Sequence, residues 1–184
     1  MRPAQNLSQL FGVAGSALFL FAAAHAVRLG IGELGGGRRN SPPSSAAWIA
    51  AGLAAEESGD FAAAERDLLE AARIDHQYLP AWTLANFYFR RGDAQFWPWA
   101  RMAAGLAYDD LAPLLQLADA QESDAARLLD RLGDSPRLHR AYLDYLIGKG
   151  HLESAQVVAA RMAGEPGSGA RLADLRKRLA GTPP

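Results

Sequence analysis

Four histidines, two adjacent pairs of carboxylates and one glycine-rich stretch are the residues that could do chemistry, and none is spaced for it. His25 lies in an apolar segment, and His76, His139 and His151 fall in separate turns or helix starts. No two have the HExxH spacing that sets a pair of imidazoles on one helical face for zinc. Asp109-Asp110 and Glu56-Glu57 are paired carboxylates. Acid–base work needs two carboxylates facing one substrate. Neighbours on a helix point about 100° apart, so capping and solvation are the better reading. Gly164-Glu165-Pro166-Gly167-Ser168-Gly169 has no Lys-Ser/Thr after it and no strand before it. It reads as a connection rather than a phosphate loop. The residues thus point to no catalytic, cofactor-binding or metal site, and no cofactor is expected.

Composition narrows the classes further. Apolar residues make up 49% of the 184 and charged residues 21%, enough to bury a core. The formal net charge of −1 exerts no global pull toward nucleic acid or an anionic surface. The absence of Cys excludes disulfides, thiolate zinc sites, a Cys nucleophile and a lipidated Cys.

The elements that position these side chains repeat. Gly52, Ala85 and Ala118 stand 33 positions apart, as do Gly59 and Gly92, and Ala71 and Ala104. Trp48 and Trp82 are 34 apart, and Gly150-His151-Leu152-Glu153-Ser154-Ala155 repeats the pattern of Gly59-Asp60-Phe61-Ala62-Ala63-Ala64. Such periods mark stacked helix pairs. The spacing predicts helices over Ala46–Ser58, Phe61–Ile74, Leu79–Arg91, Gln95–Tyr108, Asp110–Gln121, Ser123–Arg131, Pro136–Lys149, His151–Ala163 and Ser168–Leu179. The third pair is shortened. Pro98 fits only a first turn, so the fourth helix should begin at Phe96 or Trp97. Close packing explains the conserved spacing within the chain: Gly52 and Ala64 let two helices approach, and Trp48, Leu68 and Ala71 fill the space around them. Gly59 should end the first helix and Asp60 cap the second. Ser45 or a residue beside it should cap the first.

From Ala47 to Asp75 the tryptophan, small, Gly-Asp, Ala and Asp positions resemble the tetratricopeptide repeat. The resemblance spans roughly residues 45–164 and implies an all-α solenoid of antiparallel helix pairs. The segment from Pro80 to Asp93, followed by Phe96-Trp97-Pro98-Trp99-Ala100-Arg101, is also similar to bacterial membrane-anchored members, which carry one amino-terminal transmembrane helix. The family binds a peptide or protein along a concave face of its first helices. Carried over by position, that face is Leu53 and Glu56, then Trp82, Asn86, Phe89 and Arg90, then Arg137, Arg140 and Asp144. Asn86 is the position at which the family bonds a ligand backbone. The lysine-rich carboxylate clamp of chaperone-binding members is absent, since Lys149 is the only lysine of the repeats.

Two other clusters weigh toward structure. Phe87, Tyr88, Phe89, Phe96, Trp97, Trp99 and Tyr108 read mainly as core, with Trp82 and Phe89 as groove aromatics and Trp48 as architecture. Arg171, Arg176, Lys177 and Arg178 make the last helix basic. It reads as a cap that closes the open end of the solenoid with Leu172, Leu175 and Leu179.

The amino-terminal run from Leu10 to Val27 is 18 residues long, apolar save for Ser16 and His25, with Arg2 before it and Arg28 after it. It would span roughly 27 Å, near the lower limit for a bilayer core. Three readings compete: a retained signal anchor, a signal peptide cleaved at Ala24-His25-Ala26, and a buried soluble helix. The expected organisation is a hydrophobic segment over 1–34, a Gly/Pro/Ser linker over 35–45, repeats over 46–164, and a linker with a capping helix over 165–184. The functional expectation is a single-pass scaffold of the bacterial inner membrane with its repeats on the periplasmic side. Signal cleavage would make it a secreted or periplasmic protein instead. It would bind protein or peptide partners in the groove, without catalysis and without nucleic acid. A self-assembling structural homo-oligomer is the alternative, favoured if the third pair exposes apolar surface.

Overall fold

The computed structural model describes residues 43–108 and 110–181. Every regular element among them is a helix. In chain order they are α1 (Ser45–Glu57), α2 (Phe61–Ile74), α3 (Tyr78–Arg90), α4 (Phe96–Leu106), α5 (Ala112–Gln121), α6 (Ala125–Leu132), α7 (Pro136–Lys149), α8 (Leu152–Arg161) and α9 (Gly169–Gly181). The hydrophobic segment and most of the linker lie outside the described residues, as does Asp109. Among the described residues no helix is long and apolar enough to cross a membrane.

Local chemistry sets the boundaries. Ser44 caps α1, its hydroxyl accepting from the Ala47 N–H at 3.2 Å. Ser44 is the neighbour of Ser45 that the sequence allowed as cap, and Ser45 itself donates its hydroxyl to Asp75 at 2.7 Å, tying the start of α1 to the end of α2. Asp60, Asp124 and Ser135 cap α2, α6 and α7 through bonds to the third residue along. Gly59 at φ 82° and Gly150 at φ 75° close α1 and α7 in the left-handed region that only glycine enters cheaply. Helix α4 starts at Phe96, which keeps Pro98 inside the first turn.

The core follows from amphipathic spacing. Helix α2 buries Ala64, Asp67, Leu68 and Ala71, and α6 buries Ala125, Leu128, Leu129 and Leu132. Both sets fall on one face at 3.6 residues per turn. Gly52 is where α1 and α2 meet most tightly. A Cβ built there would lie 2.7 Å from Leu68 Cγ and 3.1 Å from the Ala64 carbonyl oxygen. Helix α1 buries only Ile49 and Gly52. Its Ala47, Ala51 and Ala54 face solvent, as befits an end position.

Consecutive helices joined by short turns pack as antiparallel neighbours. The tightest are α1 with α2, α3 with α4, and α7 with α8. Among alternate helices α1 touches α3, α4 touches α6, α5 touches α7 and α6 touches α8, and α9 touches both α7 and α8. The shortened α5 and α6 meet only lightly and pack mainly on the flanking pairs.

A candidate partner-binding face on the first helices

The face is built on α3. One side of this helix buries Pro80, Ala81, Leu84, Ala85, Phe87 and Tyr88. Trp82, Asn86 and Phe89 stand half-buried around the opposite side. Trp82 stacks on Tyr78 with ring centroids 6.0 Å apart and planes at 11°. Phe89 meets the buried Phe96 edge to face at 5.7 Å. The Asn86 Nδ2 donates to the Trp82 carbonyl oxygen at 2.8 Å, one turn back along α3. Its side-chain oxygen makes no hydrogen bond within the described residues.

Glu56 and Arg90, carried over from different helices, come together. Arg90 donates from Nε and Nη2 to the two Glu56 oxygens at 2.7 and 2.6 Å. Leu53 is half-buried on α1 against the same core. The Arg90–Glu56 pair thus bridges α1 and α3.

The α7 residues sit differently. Arg137 and Arg140 are half-buried. Asp144 is engaged by the last helix, accepting from Arg171 Nε at 2.8 and 2.9 Å. It borders an open cleft of about 460 Å³ between α7 and α9, with Ile147, Ala170 and Asp174. Helix α9 thus packs against α7 and α8, with Leu175 buried and Leu172 and Leu179 half-buried.

Between α5 and α7 lies a tyrosine cluster. Tyr142 is fully buried, and among the described residues its hydroxyl makes no well-formed hydrogen bond, with the Asp119 carboxylate close by. Its ring stacks on that of Tyr145 at 6.2 Å, and the Tyr145 hydroxyl donates weakly to Asp119 at 3.4 Å. Burial first, and the Asp119 charge second, push both hydroxyls above the ordinary tyrosine pKa. Tyr88 is pushed up as well, by burial and then by its 2.7 Å bond to Glu65.

Comparison with protein-family models, curated proteins and solved structures finds no match. The face therefore has to be judged on its own geometry.

The aromatic concentration divides. Phe87, Tyr88 and Phe96 are core, while Phe89, Trp97 and Trp99 are half-buried. Tyr108 is 86% exposed in the turn after α4, because the helix ends at Leu106 and the turn projects it. Trp48 and Trp82 are both half-buried against the core, so burial does not separate them.

His139, read from sequence as an ordinary helix-end residue, is 4% exposed. Its Nδ1 lies 2.6 Å from Glu165 Oε1 and its Nε2 2.8 Å from Asp134 Oδ1. Nε2 makes no hydrogen bond among the described residues despite its closeness to Asp134. A signal was present: His139 stands three before Tyr142 and four before Leu143, on the apolar stripe of α7. Its two carboxylate partners could not be read from spacing.

Proposed function

We propose that the chain is a membrane-tethered, tetratricopeptide-like scaffold that holds a protein or peptide segment on the face of its first helices and performs no bond chemistry. The solenoid reading draws support from contacts between alternate helices, α1 with α3, α4 with α6, α5 with α7 and α6 with α8. The observation that carries the binding reading is α3 itself. It leaves Trp82, Asn86 and Phe89 half-exposed beside one another on the side opposite its buried stripe. Half-buried aromatics on a rigid helix offer apolar area at little entropic cost, which is what binding hot spots use. The Asn86 side-chain oxygen, with its amide nitrogen already bonded, is placed to accept from a partner N–H. The tether would be the segment over residues 10–27, and the setting a bacterial envelope.

Self-assembly through the shortened pair has less support. Of the exposed large apolar side chains among the described residues, none lies on α5 or α6. The test is capture of partners from cells by the full chain. Trp82→Ala and Asn86→Ala should each reduce capture by about tenfold, the effect of losing roughly 1.4 kcal/mol. Retention of every partner by both variants would remove the assignment.

A further inference from the structure

We infer that Asp119 of α5, beside Tyr145 of α7, seats one basic side chain of the bound segment, so that the partner carries a lysine or arginine in addition to the apolar part that meets α3. The inference rests on the binding function proposed above and names the partner chemistry of that site.

The position comes from the repeat. Gly52, Ala85 and Ala118 stand 33 positions apart, and Leu53, Asn86 and Asp119 each follow one place later. Asp119 is thus to α5 what Asn86 is to α3. Both are half-buried, each next to a fully buried alanine. Asn86 offers a partner a neutral oxygen. Asp119 offers a full negative charge, which favours a cation over an uncharged N–H.

That charge is unanswered within the fold. The other half-buried or buried carboxylates among the described residues have partners. Glu56, Asp67, Glu70 and Glu122 each pair with an arginine. Glu65 and Asp75 each accept a hydroxyl at 2.7 Å, and Glu165 lies 2.6 Å from His139 Nδ1. Asp119 forms no ion pair among the described residues and receives only the weak 3.4 Å contact from the Tyr145 hydroxyl to Oδ2. Its Oδ1 makes no hydrogen bond among them and, unlike the Tyr142 hydroxyl, is not sealed from solvent. A carboxylate accepts at about four lone-pair sites, so most of its capacity is open. An ammonium or guanidinium would fill it with charge-assisted bonds and offset the cost of partial burial.

The surroundings suit a cation. Helices α5 and α7 pack together, and the Tyr145 ring is held between them by its stack on the buried Tyr142. Aromatic faces attract cations. This ring already has the Lys149 ammonium 5.7 Å from its centroid. Lys149 is exposed and does not pair with Asp119. The two tyrosine hydroxyls are pushed up by burial, so they stay neutral and supply no charge to oppose the carboxylate.

A phage-displayed library of random peptides, depleted on empty detergent micelles, would be selected on the full chain in the same micelles. Asp119→Asn, Asp119→Lys and Trp82→Ala would be run in parallel. Peptides from the unmodified chain should carry a lysine or arginine at a fixed spacing from an aromatic or aliphatic residue. Asp119→Asn, which keeps the shape of the side chain, should lose the basic residue and retain the apolar one. Asp119→Lys should exchange the basic residue for Asp or Glu at the same place, which a purely structural carboxylate would not produce. Affinity for one selected basic peptide should fall about tenfold on Asp119→Asn, the effect of one charged hydrogen bond. A basic residue that persists with Asp119→Asn, or its absence from peptides that depend on Trp82, would overturn the seat and leave the α3 face standing. A basic residue that depends on Asp119 in peptides indifferent to Trp82→Ala would uphold the seat and remove the α3 face. No enrichment by the unmodified chain would overturn both.

Discussion

Arg90 grips Glu56 with two nitrogens at 2.7 and 2.6 Å, across 34 positions of sequence and from one first helix to the next. The spacing is one repeat plus one residue, so the fork links equivalent elements of adjacent repeats. It also fixes the relative height of α1 and α3, and hence of Leu53 and Trp82 on the face. The side chains are 30% and 15% exposed, which puts the pair between a surface bridge and a buried one. Glu56→Gln should cost about 1–2 kcal/mol, the range for losing a charged, two-point hydrogen bond at partial burial. Arg90→Lys should cost nearly as much, because a point charge cannot make the fork. Chemical denaturation of the two variants checks this. A loss below about 0.3 kcal/mol in both would show that the fork does not hold the helices.

Two glycines on helices should respond with opposite sign. Gly52→Ala places a methyl 2.7 and 2.8 Å from Leu68 carbons, so overpacking costing about 1–3 kcal/mol should outweigh the helix-propensity gain of up to about 1 kcal/mol. Gly105→Ala meets nothing within 4 Å, so only the propensity term remains and stability should rise slightly. Thermal melts read both. A stabilised Gly52→Ala would contradict the close approach of α1 and α2.

The two buried tyrosines should also separate. Tyr88→Phe loses a 2.7 Å bond to the Glu65 carboxylate and should cost about 1–2 kcal/mol. Tyr142→Phe removes a hydroxyl that makes no well-formed hydrogen bond among the described residues, with the Asp119 carboxylate near it, so it should cost clearly less than Tyr88→Phe. A large loss for Tyr142→Phe would mean that a water or a ligand bonds that hydroxyl in solution.

Alkaline pH should weaken the fold through the same side chains. Burial, followed by the Glu65 hydrogen bond for Tyr88 and by the Asp119 charge for Tyr142 and Tyr145, raises these hydroxyls above their unfolded value. Above about pH 10, where an unfolded tyrosine ionises, the unfolded chain binds fewer protons than the folded one. Stability must therefore fall as pH rises. Denaturation midpoints from about pH 8.5 to 11 should decline, with a smaller slope for Tyr142→Phe. A flat profile would contradict the burial of these hydroxyls.

Much of the helix order was legible because apolar, small and glycine positions recur along the chain at near-constant spacing. The bounds of α2 and α7 match the periodic reading, and the other ends differ by no more than two residues. Caps and glycine stops are local, so Asp60 and Gly59 act as their types predict. What spacing cannot carry is a contact between distant connections. Glu165 reads as part of a glycine-rich linker, yet it closes over His139, 26 positions away. Asp144 was legible as a first-helix residue, but its partner on α9 was not, because that helix follows no repeat register. Tyr108 misleads for a different reason: α4 ends two residues short of it, which turns an apparent core position into a loop tip.

On the function proposed above, partners lie on the α3 face. Photo-crosslinking in native cells tests it most directly, with a photoreactive residue placed at position 86 of the full chain and, as a control, at exposed position 156 on α8. Discrete adducts from position 86 that are absent from 156 and lost on Trp82→Ala are the predicted result. The same adducts from both positions, or none from position 86, would contradict it.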